Sequence, residues 1–211
     1  MTRLLLIGLT ALAIAACDDP AKGKTKAQTG EAAPVTAQQN LAGTTTFVFD
    51  NESSKIEWTG SKVTGKHDGG FKVFRGDVKL VDGAPEKSSV FVDIDANSLF
   101  TDNDKLAGHL KSGDFFDVVN HPKASFTSTE VKKGGEKGAS HTVTGNLTLR
   151  GVTKSITFPA NVRTSASGVE VDAEFAINRK DFGLVYAGKP DDLIRDDVVI
   201  KLTVRANKKP S

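Results

Sequence analysis

The chain is short of the residues that build several common kinds of site. Its 211 residues include one cysteine, which excludes an intramolecular disulfide and a cysteine-rich zinc site. The 28 basic and 26 acidic side chains leave a net charge of +2, which argues against a nucleic-acid binder that depends on a large basic excess. A hydrophobic share of 38% excludes a fully disordered chain. Tryptophan, tyrosine and methionine occur once each, whereas 12 phenylalanines and 20 glycines suit a β-rich domain with tight turns.

The N-terminal hydrophobic run is too short to span a membrane. Residues 4–16 are uncharged and would rise about 20 Å as a helix, less than the ~30 Å hydrocarbon core of a bilayer. Preceded by Arg3 and ending in small residues, the run has the pattern of a secretory signal over residues 1–16. The two alanines before Cys17 resemble a bacterial lipobox, which predicts that Cys17 is acylated and becomes the first mature residue. The alternative is an ordinary signal peptide with an incidental cysteine.

The segment that follows, residues 17–43, has little to bury. Its only larger aliphatic residues are Val35 and Leu41, and its charges cancel. Because such a stretch cannot offset the entropy lost on folding, we expect it to form a disordered linker after the lipidated Cys17. A random coil of this length spans about 25–30 Å, which would hold the folded part clear of the lipid headgroups. An additional N-terminal helix is the alternative.

Residues 44–211 have the pattern of one all-β domain. Apolar and polar side chains alternate over short segments such as 169–177, which are bounded by Gly, Asn, Asp or Pro. This period of two predicts antiparallel strands with one apolar and one wet face, and about eight to ten of them are enough to close a barrel. One or two short helices are expected besides, the clearer one at 103–112 with Asp102 as its cap. The glycine-rich stretch 65–70 predicts a hairpin.

Five blocks of this domain resemble the YceI-like family. They are KSGDFFDV at 111–118, HPKASF at 121–126, TGNLTLRGVTK at 144–154, INRKDFG at 177–183 and GKPDDLIRDDV at 188–198. The resemblance implies a lipocalin-like barrel that is closed around an apolar channel and binds polyisoprenoid or other amphiphilic lipids in the bacterial envelope. No catalytic activity is established for the family. The lipobox and linker, which many members lack, change the predicted location and leave the channel unaffected.

The alternation directs a set of apolar side chains into the barrel. By alternation alone a solid core is the simpler interpretation, and the resemblance reverses that preference in favour of a channel lined by these apolar side chains. For the polar head group of such a lipid, the loop residues His67, Arg179 and Lys189 are candidate contacts, with ordinary solvated charges as the alternative. The candidate lining residues are Trp58, Phe74, Phe126, Leu147, Ile156, Phe158, Phe175, Ile200 and Leu202.

An enzymatic hypothesis rests on three neighbouring acids. Asp191, Asp192 and Asp196 offer paired carboxylates, which glycoside hydrolysis requires. Nothing marks a general acid among them, and a capped turn in which Arg195 ties down the neighbouring acids is the favoured interpretation. The four histidines have no metal-ligand spacing, so no metal and no other cofactor is expected.

The sequence therefore predicts a non-catalytic carrier of an isoprenoid quinone, polyprenyl or similar lipid. It would be attached to a membrane of the bacterial cell envelope through its acyl group and face the periplasm, with the inner and outer membrane both open. A structural or partner-binding lipoprotein with a solid core is the alternative, and an enzyme acting on lipids or glycans is less favoured. Nucleic acid is not expected as a partner, and a homodimer is left open.

Overall fold

Most of the described chain forms β-strands, as the alternation predicts. The computed structural model describes residues 19–35 and 42–209, so the predicted signal segment and Cys17 lie outside the described residues. A single α-helix among these residues, α1, spans Asp104–Lys111. The strands are β1 Gln28–Glu31, β2 Thr44–Asp50, β3 Lys55–Lys62, β4 Gly65–Phe71, β5 Phe74–Val81, β6 Ala84–Asp95, β7 Leu99–Thr101, β8 Lys123–Lys133, β9 His141–Leu149, β10 Val152–Thr164, β11 Gly168–Asn178, β12 Gly188–Lys189, β13 Asp192–Leu193 and β14 Asp197–Lys208.

Eight of these strands close into an antiparallel barrel. The order around the barrel is β2, β5, β6, β8, β9, β10, β11, β14 and back to β2. The closure depends on β11, which pairs with β14 along its whole length and with β10 through residues 169–172. The predicted all-β antiparallel barrel is therefore confirmed.

A tight turn sets the register of β9 and β10. Arg150 and Gly151 connect the two strands, and both have positive φ angles, 48° and 73°, as a two-residue type I′ turn requires. The pairing then runs from Leu149 opposite Val152 to His141 opposite Ala160. Gly151 thus ends a tight turn, and His141 is the first residue of β9.

Strands β3, β4 and β7 form a ribbon that extends the sheet beyond β14. The hairpin expected over 65–70 begins earlier in the chain, because the turn lies between Lys62 and Gly65 and the glycine-rich stretch is itself strand β4. Gly69 lies opposite Trp58, and a Cβ atom at Gly69 would overlap the indole ring. The glycine thus provides space for a flat aromatic side chain, which is a packing role and not a turn.

Helix α1 lies within the predicted range 103–112, but its N-cap is not the predicted residue. Asn103 is the N-cap, and its side chain accepts a hydrogen bond from the backbone N–H of Leu106 at 3.0 Å. The predicted cap, Asp102, instead accepts a hydrogen bond from His67 across 2.8 Å. Both are good capping residues, and the neighbouring ribbon decides between them.

The prediction of a disordered linker is wrong for residues 25–31, which lie between β10 and β11 in the barrel wall. Strand β1 pairs with residues 154–157 of β10. On the other side, the N–H of Ala27 donates to the carbonyl of Ala176 in β11, and the N–H of Ala176 donates to the carbonyl of Thr25, both at 2.8 Å. The prediction considered only what the segment could bury, whereas backbone pairing with two strand edges holds it in place.

Candidate functional site: an apolar cavity in the barrel

The barrel is not filled solid. It encloses a cavity of about 250 Å³, whose lining is almost entirely hydrocarbon and extends through the barrel from one end to the other. At one end lie Pro85, Ser88 and Thr164, and at the other end Leu110 and Leu184. An elongated space of this chemistry suits an apolar chain, since water has almost nothing to hydrogen-bond there.

The alternation predicted most of the lining correctly. Of the nine apolar residues expected to face the interior, all but Phe74 line the cavity. Phe74 also points inward and is buried, but it is the first residue of β5 and packs in the solid part of the core. The residues that do line it are Trp58, Phe126, Leu147, Ile156, Phe158, Phe175, Ile200 and Leu202.

Aromatic rings form one wall of the cavity. Phe158 of β10 and Phe175 of β11 stack with their ring centroids 4.2 Å apart and their planes 14° apart, and Phe126 of β8 lies 5.8 Å from Phe158. Phe158 and Phe175 are buried, so they hold this side of the cavity rigidly. The indole Nε1 of Trp58 is buried and has no hydrogen-bond partner among the described residues.

One end of the cavity is closed by residues that the sequence analysis missed. Leu110 of α1, Phe115 and Phe116 after it, and Leu184 and Ile194 of the loop before β14 all contribute to the lining. Local alternation cannot find them because they belong to a helix and to irregular loops. The only available signal was the helical spacing that placed Leu110 on one face of α1.

Arg179, a predicted head-group contact, is part of this end of the cavity. It is buried, and its Nε donates to the carbonyl of Arg195 at 3.0 Å, while Nη1 donates to the carbonyl of Leu184. Nη2 donates to the carbonyl of Ile194 at 3.3 Å and to Asp196 Oδ1 at 3.2 Å. Burial lowers the pKa of this guanidinium, and the Asp196 carboxylate counteracts that effect. Arg179 therefore braces the loop, with most of its donors already used.

The other two predicted head-group contacts do not line the cavity. His67 lies on β4 in the outer ribbon, 2.8 Å from Asp102. The hydrogen bond from His67 holds the pKa of the Asp102 carboxyl below its usual value. Lys189 is exposed on the short β12 strand. The structure does not bring these two residues together with Arg179 at one site.

The N-terminal segment covers one side of the cavity. On the N-terminal side of residue 161, β10 no longer pairs with β11. Residues 25–31 lie between the two strands there. Ile156 on β10 and Phe175 on β11 flank this gap, and both line the cavity. The segment thus completes the wall at the place where barrel strands do not pair with each other.

Comparison with known proteins agrees with this geometry. Residues 47–206, well over half of the chain, match the YceI-like domain. The chain belongs to the YceI-like family. A UPF0312 protein of Pseudomonas putida strain W619 is 37% identical over 139 residues, which is 63% of this chain and 71% of the relative. A UPF0312 protein of Pectobacterium carotovorum strain PC1 is 43% identical over 94 residues, 44% of this chain and 47% of that protein.

Solved structures share the YceI-like barrel. BcnA of Burkholderia cenocepacia matches with a TM-score of 0.64 and 24% identity, covering 75% of this chain and 99% of its own. A YceI protein of Campylobacter jejuni matches with a TM-score of 0.59 and 26% identity, covering 67% and 85%. A polyisoprenoid-binding domain of Saccharophagus degradans matches with a TM-score of 0.60 and 19% identity, covering 78% and 99%. The first and third likenesses establish the fold alone.

Two of the three acids of the enzymatic hypothesis are engaged in ion pairs, and none of the three lines the YceI-like cavity. Asp192 accepts from Lys62 and from both the N–H and the hydroxyl of Thr64. The hydrogen bond from Lys62 lowers the pKa of Asp192, which is the opposite of what a general acid needs. Asp196 pairs with Arg179 and with Lys180 at 3.2 and 2.9 Å. The sequence predicted that Arg195 would pair with these acids. Lys62 pairs with Asp192, and Arg179 and Lys180 pair with Asp196.

Three of the four histidines each contact a different polar side chain. His67 pairs with Asp102, His109 pairs with Asp114 at 2.9 Å, and His141 is buried beside Ser140. Across residues 19–35 and 42–209, no group of three His, Cys, Asp or Glu side chains could hold a metal ion. Within the same ranges, no helix is long and apolar enough to cross a membrane.

Proposed function

We propose that this YceI-like barrel binds a lipid with a long apolar tail, a polyisoprenoid or an isoprenoid quinone, by enclosing the tail in its cavity without chemical change. The observation that carries the proposal is the continuous hydrocarbon lining of an unfilled interior. Each CH₂ group transferred from water to such a lining contributes about 0.8 kcal/mol, so a long tail gains enough to offset the cost of its ordering.

The cavity favours a carrier over the two alternatives. A structural lipoprotein with a solid core has no use for an unfilled apolar interior, because unfilled space destabilises a core. An enzyme needs a polar group of suitable pKa near its substrate, whereas Asp191, Asp192 and Asp196 do not line the cavity. A solved neighbour that is described as a polyisoprenoid-binding domain supports the same choice of ligand class.

We also propose that the protein acts at the bacterial cell envelope, held by an acyl group on Cys17. The support is the signal pattern of residues 1–16 and the two alanines before the cysteine. Several acyl chains on one residue give firm attachment to a bilayer. A carrier that exchanges its lipid with a membrane gains from being held beside it.

A matched pair of glycine variants tests the binding proposal. Gly60 lines the cavity, and a Cβ there meets Trp58 only at ordinary contact distance, 3.7 Å, so Gly60→Leu fills the space without forcing the backbone. Gly65→Leu is the control, because it lies outside the cavity and a Cβ there has nothing within 4 Å. Trp58 is the single tryptophan, so its fluorescence reports directly on the cavity.

We expect a long-chain ubiquinone to quench Trp58 saturably in the natural protein and in Gly65→Leu. Gly60→Leu should bind at least about ten-fold more weakly, which corresponds to about 1.4 kcal/mol. Equal quenching of both variants, or quenching that never saturates, would count against a lipid inside the cavity.

A further inference from the structure

Two neighbouring loops at one end of the barrel carry exposed aliphatic side chains. Val63 in the turn between β3 and β4 is 53% exposed, and Leu193 of β13 is 50% exposed. The two loops are joined, because the N–H of Val63 donates to the carbonyl of Leu193 at 3.2 Å. Val185 on the same side of the cavity end is 61% exposed. We call these two loops, residues 62–64 and 184–195, the loop end.

The loop end is also the wall of the cavity. Leu184 and Ile194 line the cavity, whereas the adjacent residues Val185 and Leu193 face outward. Only the thickness of one chain therefore separates the cavity from the outer surface here. Arg179 holds this chain by donating to the carbonyls of Leu184 and Ile194.

The N-terminal part of the chain reaches the barrel at the same place. Asp19, the first described residue, lies 3.6 Å from Arg195, which is two residues from Leu193. Ala21 is buried against Ala176 and Val199 on the outer wall. Residue 17 is only two residues from Asp19 along the chain, and two residues of extended chain span at most about 7 Å. An acyl group on residue 17 would then draw this end of the barrel to the bilayer and would not hold it about 25–30 Å away on a free linker.

The charge of the loop end fits a phospholipid surface. Two lysines are exposed here: Lys66 next to the β3–β4 turn, and Lys189 in the hairpin of β12 and β13. One exposed acid, Asp191, lies between Lys189 and Leu193 in the sequence. Lys62 is paired with Asp192, so this pair adds little net charge. Exposed aliphatic residues flanked by lysines are typical of surfaces that rest on bilayers with anionic lipids.

We propose that the loop end is the surface through which the barrel lies on a phospholipid bilayer containing anionic lipids, so that the thinnest wall of the cavity faces the membrane. The proposal rests on the acyl anchor proposed above. It adds an orientation, with Val63, Val185 and Leu193 in contact with lipid and the opposite end of the barrel in water.

The test uses the full chain, acylated in its host and reconstituted into vesicles of phosphatidylcholine and phosphatidylglycerol. The sequence has one cysteine, so when Cys17 is acylated an introduced cysteine is the single free thiol. Leu193→Cys and Val63→Cys place an environment-sensitive fluorophore at the loop end. Ala166→Cys, in the exposed turn between β10 and β11 at the other end, is the control.

On these vesicles we expect the fluorophore at 193 and at 63 to shift its emission to the blue and to lose most of its quenching by aqueous iodide, a several-fold drop. The fluorophore at 166 should keep its emission and its quenching. Equal iodide access at all three positions would overturn the proposed orientation. Two labels per chain would show a free thiol at Cys17 and would overturn the anchor and the orientation together. Neither readout depends on a lipid in the cavity, so failure of lipid binding is distinguished from both.

Discussion

The outer edge of β10 is closed in two different ways along its length. Residues 161–164 pair with β11, a barrel strand whose inward side chains, such as Val169, are buried in the core. Residues 154–157 pair instead with β1, all four of whose residues are exposed. Backbone pairing alone can therefore complete a barrel wall where the apolar cover comes from the strands on either side. It also makes β1 the part of the wall that is easiest to release.

Loss of the apolar cover that the strands on either side of β1 supply should reduce stability most. Phe175→Ala removes a ring that is 2% exposed and stacked on Phe158, so we expect a loss of about 3–5 kcal/mol in the free energy of unfolding, measured by urea denaturation. Phe91→Ala is the control, because Phe91 is 43% exposed on β6. Similar losses for the two variants would show that the core around Phe175 does not hold the wall.

Deletion of residues 19–33 should have a smaller effect on global stability, because this segment buries little besides Ala21. Its local effect is specific. In hydrogen exchange, we expect amides among residues 154–157 to lose protection, whereas those of residues 161–164 keep it. Unchanged protection of both stretches would mean that β1 does not close the wall.

Asn146→Ala is expected to loosen the segment without removing it. The Asn146 side chain accepts from the N–H of Ala33 at 3.0 Å and donates to the carbonyl of Ala33 at 2.7 Å. Loss of this pair of hydrogen bonds should cost about 1 kcal/mol and raise the exchange of amides in β1. Asn120→Ala, which removes an amide that donates to Asp117 away from β1, should leave β1 exchange unchanged. A β1 that exchanges equally in both variants would contradict the role of Asn146.

The smallest effect is a titration that reports whether the segment is docked. Lys154 lies 2.7 Å from Glu31, and its hydrogen bond lowers the pKa of Glu31 from the usual 4.5. Because the folded pKa is the lower one, the contribution to docking is present above pH 4.5 and is lost as the pH falls through the folded pKa. Carboxyl NMR should show this depressed pKa, and Lys154→Met should return it towards 4.5. A pKa that Lys154→Met does not move would contradict the pairing.

The barrel and most of the cavity lining could be predicted because both follow from a local rule. A period of two decides which side chains face inward, so residues such as Trp58, Leu147 and Phe175 are assigned without knowing the neighbouring strands. The same rule failed for Phe74, since position along the barrel axis, which the period does not encode, decides whether an inward residue meets the cavity or the solid core.

What the sequence did not predict depends on contacts between distant segments. Strand β1, with the sequence QTGE, has no apolar alternation, and only the unpaired edge of β10 makes it a strand. Leu184 and Ile194 reach the cavity because Arg179 braces an irregular loop through its carbonyls. Whether the interior is filled depends on the summed volume of side chains from the eight barrel strands, β3, β4, α1 and the loops, and no single segment carries that information.

Native mass spectrometry of the protein purified from its own host tests the central claim most directly. If the cavity holds a lipid tail, the spectrum should show a complex that releases, on activation, one lipid with an isoprenoid chain. The Gly60→Leu variant should lose most of that complex, and Gly65→Leu should keep it. A protein that carries no lipid from its host and takes up none from quinone or polyprenyl vesicles would contradict the claim that this barrel is a lipid carrier.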